Sequence, residues 1–355
     1  MTMLEFSESV PKQRNSNLEL FRIIVMLLIV AHHYVVNSGL TPVMAADYPS
    51  AKSIFLYLFG WAGKTGIDCF VLITGFFMCT SNISLRKFLK LFGAFYIYTL
   101  IIFAVFTAFG YVELTPKFVI KSLVPFTTLD KNFISCYLVF FCFIPFLNIL
   151  IKGMTKRQHQ LLLLLSLVAF SVFPQLLVKV SLDYVWWFMV IYLIGSYFRL
   201  YPPQWSLNTK RMGLASLGFV VLSLISVVGG AQMGLILDKP IVYFFVNDSN
   251  KPLAVATAVC TFLFFKNLKI GYSKVINTIA ASSFGVLLIH ANSDTMRQWL
   301  WRDTLDNVGH YAENIYLHAF LSVFAVYAVC TLIDMLRIKF IEKPFFKWFD
   351  KLSER

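Results

Sequence analysis

Leu18-Glu19-Leu-Phe-Arg22-Ile-Ile-Val-Met-Leu-Leu-Ile-Val-Ala-His32-His33-Tyr-Val-Val36 is the stretch that decides the fold. As a helix rising about 1.5 Å per residue it reaches about 28 Å, close to the hydrocarbon thickness of a bilayer. It is too long for the apolar core of a signal peptide and has no small-residue cleavage site, so it reads as a retained transmembrane helix. The remaining sequence agrees. Of 355 residues, 58% are hydrophobic and 14% charged, against roughly 45–50% and 25% in soluble domains. Mean hydropathy is +0.72. These values exclude a soluble enzyme, a disordered regulator and a nucleic-acid-binding domain. Nine more apolar runs follow, near 54–79, 88–109, 132–151, 160–173, 184–200, 212–230, 252–265, 276–291 and 314–338. The expected fold is all-α, a polytopic membrane helical bundle of about ten transmembrane helices.

The net charge of +13 is read through its placement. With the N-terminus cytoplasmic, twenty of the 31 Lys and Arg fall in inner segments, among them Arg86, Lys87 and Lys90, while outer loops hold ten of the 18 acids. This alternation follows the positive-inside rule and predicts both termini inside. The chain reads as one transmembrane domain over 1–355: an inner segment 1–16, a bundle 17–338 and an interfacial tail 339–355, in which Pro344 marks a break. Phe118, Val119, Val124 and Phe126 with Lys117 and Lys121 suggest a surface helix on the outer face. The six Cys all lie in apolar stretches and read as small buried hydrophobes, implying no metal or disulfide.

Ionisable groups inside spans each require a partner or a purpose. The first span holds Glu19, Arg22, His32 and His33; the second holds Lys64 and Asp68; His290 ends the ninth and Asp334 lies near the inner end of the tenth. Arg22 and His33 fall within about 20° of one helix face and about 16 Å apart along the axis, whereas His32 lies about 80° away. That selects His33 as the face-mate of Arg22. Glu19 sits one turn before Arg22 and can neutralise it, and Lys64 and Asp68, at i and i+4, can neutralise each other. Gly63, Gly66 and Gly75 with Thr65 and Thr74 allow close helix approach.

The pattern resembles the acyltransferase 3 family of bacterial membrane-bound O-acyltransferases. Arg22 and His33 match its Arg-x10-His pattern, with Glu19 at the usual acidic position. Gly66-Ile-Asp68-Cys-Phe-Val-Leu-Ile-Thr74-Gly75-Phe76, followed by the basic cluster from Arg86, resembles its second-span motif, with Thr74 replacing the usual Ser. Trp187 to Gly195, Phe284 to His290 (without the Tyr common before that His) and Phe340-Ile-Glu-Lys-Pro344 follow in the family's order.

The resemblance implies transfer of an acyl group, most often acetyl, from cytoplasmic acyl-CoA to a hydroxyl of a cell-surface glycan or its lipid-linked precursor. The host membrane would be a bacterial cytoplasmic membrane. Acetyl-CoA or another acyl-CoA is then a co-substrate, its phosphates suited to Arg22, Arg86 and Lys87. His33, with His32 as the neighbouring candidate, serves as general base or acyl carrier. Lys64, Thr74 or a helix N-terminus could stabilise the oxyanion. Partners expected are the acyl-CoA, the sugar acceptor and membrane lipids, with no nucleic acid and no marker of oligomeric state. A transporter or flippase of a lipid-linked saccharide is the alternative from another class, and no repeat or matched pair of broken helices supports it.

Overall fold

The computed structural model describes residues 15–116, 119, 120, 132–176, 178, 180, 182–239 and 241–353. Apart from Val119 and Ile120, the surface helix expected around Phe118 to Phe126 lies outside them. No strand occurs among the described residues. The helices used below are α1 (Ser16–Val36), α2 (Leu40–Ala46), α3 (Ala51–Phe59), α4 (Gly63–Met78), α5 (Leu85–Ala108), α6 (Phe133–Gly153), α7 (Lys156–Leu167), α8 (Tyr184–Leu200), α9 (Thr209–Leu237), α10 (Pro252–Asn267), α11 (Lys274–Ala280), α12 (Ser283–His290), α13 (Asp294–Gln298), α14 (Ile315–Arg337) and α15 (Lys343–Ser353).

Seven stretches are long and apolar enough to cross a membrane: Ser16–Val36, Ala51–Met78, Leu85–Ala108, Phe133–Gly153, Lys156–Gln175, Thr209–Leu237 and Ile315–Leu352. An eighth is formed by Lys274–His290 with Asp294–Thr304, bent by 97° at the break between them. Tyr184–Leu200 and Pro252–Asn267 are shorter apolar helices. The chain is thus an all-α polytopic membrane bundle. Each of the ten apolar runs read from sequence falls on one of these stretches.

Burial separates centre from periphery. In the α3–α4 stretch 72% of the apolar window is buried, against 28% in α5, 22% in α9 and 17% in the stretch beginning with α7. A helix apolar on every side and buried on most of them belongs at the centre of a bundle; one whose apolar side chains stay exposed belongs against lipid. The α4–α8 crossing is the tightest contact. A Cβ on Gly75 would lie 2.5 Å from the Tyr192 carbonyl oxygen, and one on Gly195 would lie 2.5 Å from that of Leu72. Small residues on both partners bring the two backbones together, where helices in lipid gain most from packing.

Polar side chains in the centre are bonded across helices. Asp68, fully buried, accepts from Trp187 Nε1 at 2.9 Å, and Asn148 Nδ2 donates to the Met78 carbonyl at 2.9 Å while its oxygen accepts from Tyr192 at 2.6 Å. Asp334 accepts from Tyr98 Oη and from Arg337 Nε, both at 2.8 Å, and Arg337 also pairs with Glu342 at 2.8 Å.

Three expectations are corrected. Pro344 does not break the tail: the helix runs from Ile315 to Ser353 through a π turn at Ile338–Glu342. The wider turn shifts the hydrogen-bond register just where a residue lacking an N–H enters. The run 292–313, read from the sequence as a connecting loop of about twenty residues, is largely helical. It holds α13, a π turn over Trp299–Thr304 and a short 3-10 turn at Gly309–Tyr311, because Trp301 is fully buried and Asn307 Nδ2 bonds the Tyr34 carbonyl at 3.0 Å. Among the cysteines, Cys142 is exposed and Cys260 half-buried, not core residues; Cys69, Cys79, Cys136 and Cys330 are buried.

Candidate active site

Helix caps set the floor plan of the site. Asn132 caps α6 by accepting from the backbone N–H groups of Ile134 and Ser135, and Asp183 caps α8 by accepting from that of Trp186. Such side chains satisfy N–H groups that the first helical turn leaves without partners. These two starts, the start of α4 and the ends of α1 and α12 meet around one cavity of about 320 Å³. In a chain that crosses a bilayer once per apolar run, the first and ninth runs end on the side where the second, fourth and sixth begin, so these five ends converge without any reversal of path.

The cavity wall includes His32, His33 and Asn37 from α1 and its end, Gly63 and Lys64 from α4, Asn132, Tyr184 and Arg297. His33 Nδ1 lies 2.9 Å from His290 Nε2, and His290 Nδ1 lies 2.6 Å from the Val286 carbonyl oxygen. A carbonyl only accepts, so His290 carries its proton on Nδ1 and offers a lone pair at Nε2. His33 must then donate from Nδ1, which leaves its Nε2 unprotonated. That Nε2 has no hydrogen-bond partner among the described residues and is not among the buried atoms lacking one. It is a base open to the cavity. His290 is fully buried behind it, in the last turn of α12, beside the 97° bend.

His32 is held differently. Its Nδ1 lies 2.6 Å from the Gly60 carbonyl, and its ring fills space that exists only because Gly63 lacks a Cβ, which would lie 2.1 Å from His32 Cγ. Both imidazoles line the cavity, their centroids 5.9 Å apart. Only His33 carries an imidazole partner.

The Lys64–Asp68 pairing suggested by spacing does not form. Lys64 Nζ donates to Tyr184 Oη at 2.7 Å, and Tyr184 Oη donates to Asp248 at 3.1 Å. Asp68 turns to Trp187 instead. The physical reason is packing: α4 is embedded against α8, whose polar side chains reach across more directly than one turn along α4 allows.

The remaining candidates lie elsewhere. Arg22 pairs with Glu19 at 3.2 Å, as their spacing predicts. Thr74 donates to the Phe70 carbonyl and shares a hydrogen bond with Tyr137 Oη, both at 3.0 Å. It lies ten residues along α4 from Lys64, about 15 Å away along the axis, and is absent from the cavity wall. Arg86 pairs with Asp350 and stacks over Phe346 at 4.7 Å. Lys87 bonds Ser81 and the Asn82 carbonyl, and Lys90 pairs with Glu342 at 2.7 Å. Arg86 and Lys90 at the start of α5 therefore tether the C-terminal segment 338–353.

Arg297, Tyr184, Asn37 and Asn132 were not singled out by sequence reasoning. Arg297 counted only as an outer-loop charge, yet α13 brings it to the cavity, where it donates from Nε to the Ser293 carbonyl at 3.2 Å and pairs with Asp294 at 2.8 Å. The signal available in the sequence was Asn292-Ser-Asp294, a helix stop and cap placed directly after His290.

No curated protein and no solved structure matches the chain. The sequence model of one family, described as an acyltransferase domain, matches residues 15–335 and so covers α1 through nearly all of α14. That range contains every residue of the cavity wall. A bilayer-spanning bundle with an unprotonated imidazole facing an internal cavity is consistent with that match, and the chain is a membrane acyltransferase belonging to the acyltransferase 3 family.

Proposed function

We propose that the protein transfers an acetyl group from acyl-CoA on the cytoplasmic side to a hydroxyl of a surface glycan or its lipid-linked precursor in a bacterial cytoplasmic membrane. The observation that carries this reading is the open Nε2 of His33, fixed by the 2.9 Å contact with His290. A sugar hydroxyl is a poor nucleophile at neutral pH until a base in contact with it takes its proton. In the proposed step that proton moves to His33 Nε2 while the oxygen attacks the thioester carbonyl carbon. The C–S bond then breaks, and the departing thiolate of coenzyme A recovers the proton from His33. The products are an ester and free coenzyme A. Lys64, on the same wall, supports the oxyanion of the tetrahedral intermediate.

Arg22 lies on the His33 face of α1, about 16 Å along the axis, which suits a donor whose phosphates stay at the inner surface while its thin arm carries the thioester inward. Arg86, Lys87 and Lys90 add a basic inner field, although Arg86 and Lys90 pair directly with acids of the C-terminal segment and Lys87 bonds Ser81 and the Asn82 carbonyl. Arg22→Ala is expected to weaken binding of acetyl-CoA about tenfold, as loss of a charge-assisted phosphate contact does, measured by titration of the purified protein. Unchanged affinity would return Arg22 to a purely structural pairing with Glu19.

The reading as a whole is tested by mass spectrometry of surface polysaccharide from cells with and without the protein. Loss of acetyl substituents at unchanged polymer yield is the expected result. Intact substitution with less total polymer would replace it by transport.

A further inference from the structure

Lys64 and Asp68 stand one turn apart on α4, a spacing at which an ammonium and a carboxylate can neutralise each other. The first turn of α8 engages both. Tyr184 Oη accepts from Lys64 Nζ at 2.7 Å, and Trp187, three residues further on, donates from Nε1 to Asp68 at 2.9 Å. Lys64 and Tyr184 stand on the cavity wall with His33, whereas Asp68 is fully buried and is not among the described residues that line it.

Tyr184 is itself fixed. It opens α8 directly after the cap Asp183, is 4% exposed, and stacks its ring on Phe188 with centroids 5.6 Å apart. Tyr184 Oη donates to Asp248 Oδ1 at 3.1 Å, and that carboxylate oxygen also accepts from the Ser249 N–H at 2.8 Å. A carboxylate only accepts, so the phenolic hydrogen points at Asp248 and the phenolic oxygen turns a lone pair to the ammonium. Lys64 Nζ also lies 5.3 Å from the centroid of the Tyr184 ring, within the range of a cation–π contact. A lysine ends in a point charge on a flexible four-carbon stem. A buried ring with a set hydroxyl removes that freedom before substrate arrives, and such preorganisation is what makes a donor effective toward charge that develops only in the transition state.

Resting on the acyl-transfer reading, we propose that Tyr184 is a positioning residue: its hydroxyl, oriented by Asp248, holds the Lys64 ammonium for the oxyanion, while Trp187 engages the rival carboxylate of Asp68. Tyr184 acts through Lys64 and forms no bond in the reaction.

The test uses the full chain in proteoliposomes and two independent readouts. Tyr184→Phe keeps the ring and removes only the hydroxyl. Reductive methylation with formaldehyde and a borane, followed at Lys64 by peptide mass spectrometry, is expected to run about threefold to tenfold faster in this variant, the factor that one lost hydrogen bond allows. The second readout is transfer of label from acetyl-CoA to a glycan extract of cells lacking the protein. Tyr184→Phe is expected to lower kcat about tenfold with KM for acetyl-CoA nearly unchanged. Lys64→Met is expected to lower kcat about 10²-fold or more, and the double variant to match Lys64→Met within about twofold. Unchanged labelling of Lys64, an effect of Tyr184→Phe confined to KM, or losses that multiply in the double variant would each overturn the proposal; the last would make Tyr184 a substrate contact in its own right. Labelling needs no turnover, so the two failures are separately visible. Faster labelling with normal transfer in Tyr184→Phe would remove the positioning role alone. Faster labelling with no transfer by the unaltered chain would remove the acyl-transfer reading and the role that rests on it.

Discussion

His33→Ala is expected to lower acyl transfer by about 10²–10⁴-fold, the range over which a positioned general base contributes, while membrane insertion and yield stay unchanged. The expectation follows from geometry. His33 Nε2 is the imidazole nitrogen that the structure leaves both unprotonated and open to the cavity on a partner-fixed ring. Removing it leaves the acceptor's proton without a recipient, whereas donor and acceptor contacts elsewhere on the wall remain. The loss is therefore expected in kcat more than in KM, the pattern of an interaction made chiefly in the transition state. His32→Ala is the control. Its ring is tied to the Gly60 carbonyl and packed over Gly63, so its removal is expected to cost less than tenfold, through loosened packing at the α1–α4 contact. Initial rates of label transfer from acetyl-CoA in proteoliposomes measure both. Full activity in His33→Ala, or a larger loss in His32→Ala, would show that the other imidazole is the base.

The course of α1 and the all-α bundle were legible because they depend on local quantities. Run length sets a span, helical angle places Arg22 and His33 on one face, and spacing pairs Arg22 with Glu19. What escaped the sequence depends on where distant helices meet. Lys64 and Asp68 have the right spacing to bond each other, but their partners are Tyr184 and Trp187, 120 and 119 residues away. Arg297 could not be distinguished from a loop charge, because the bend that turns it toward the cavity arises from the buried Trp301 as much as from the Asn292-Ser-Asp294 break. Arg86 and Lys90 looked like part of a free basic cluster since nothing local shows that the C-terminal segment returns to pair with them. Charge pattern reveals which side of the bilayer a residue serves; it does not reveal its partner.

His290→Ala is expected to lower kcat by about 10–10²-fold with KM changed less than threefold, the signature of a positioning residue acting through His33. Two effects combine. Without the Nε2 lone pair of His290 at 2.9 Å, the His33 ring loses the acceptor that fixes its proton on Nδ1, and the opposite tautomer places that proton on Nε2, where it blocks base catalysis. Once His33 has taken the acceptor's proton, the resulting imidazolium also loses a neighbour suited to share its charge. His290 lies in the last turn of α12 with its own Nδ1 on the Val286 carbonyl, at the helix end whose exposed carbonyls favour a cation. His290→Gln separates these contributions. A glutamine side-chain oxygen can accept from His33 Nδ1 and restore the tautomer, but it cannot share a proton. Partial rescue of kcat by Gln over Ala is therefore expected, measured on the same proteoliposomes with saturating acetyl-CoA. Equal losses in the two variants would assign the whole effect to charge sharing. No loss in either would leave the His33–His290 contact without a part in the reaction.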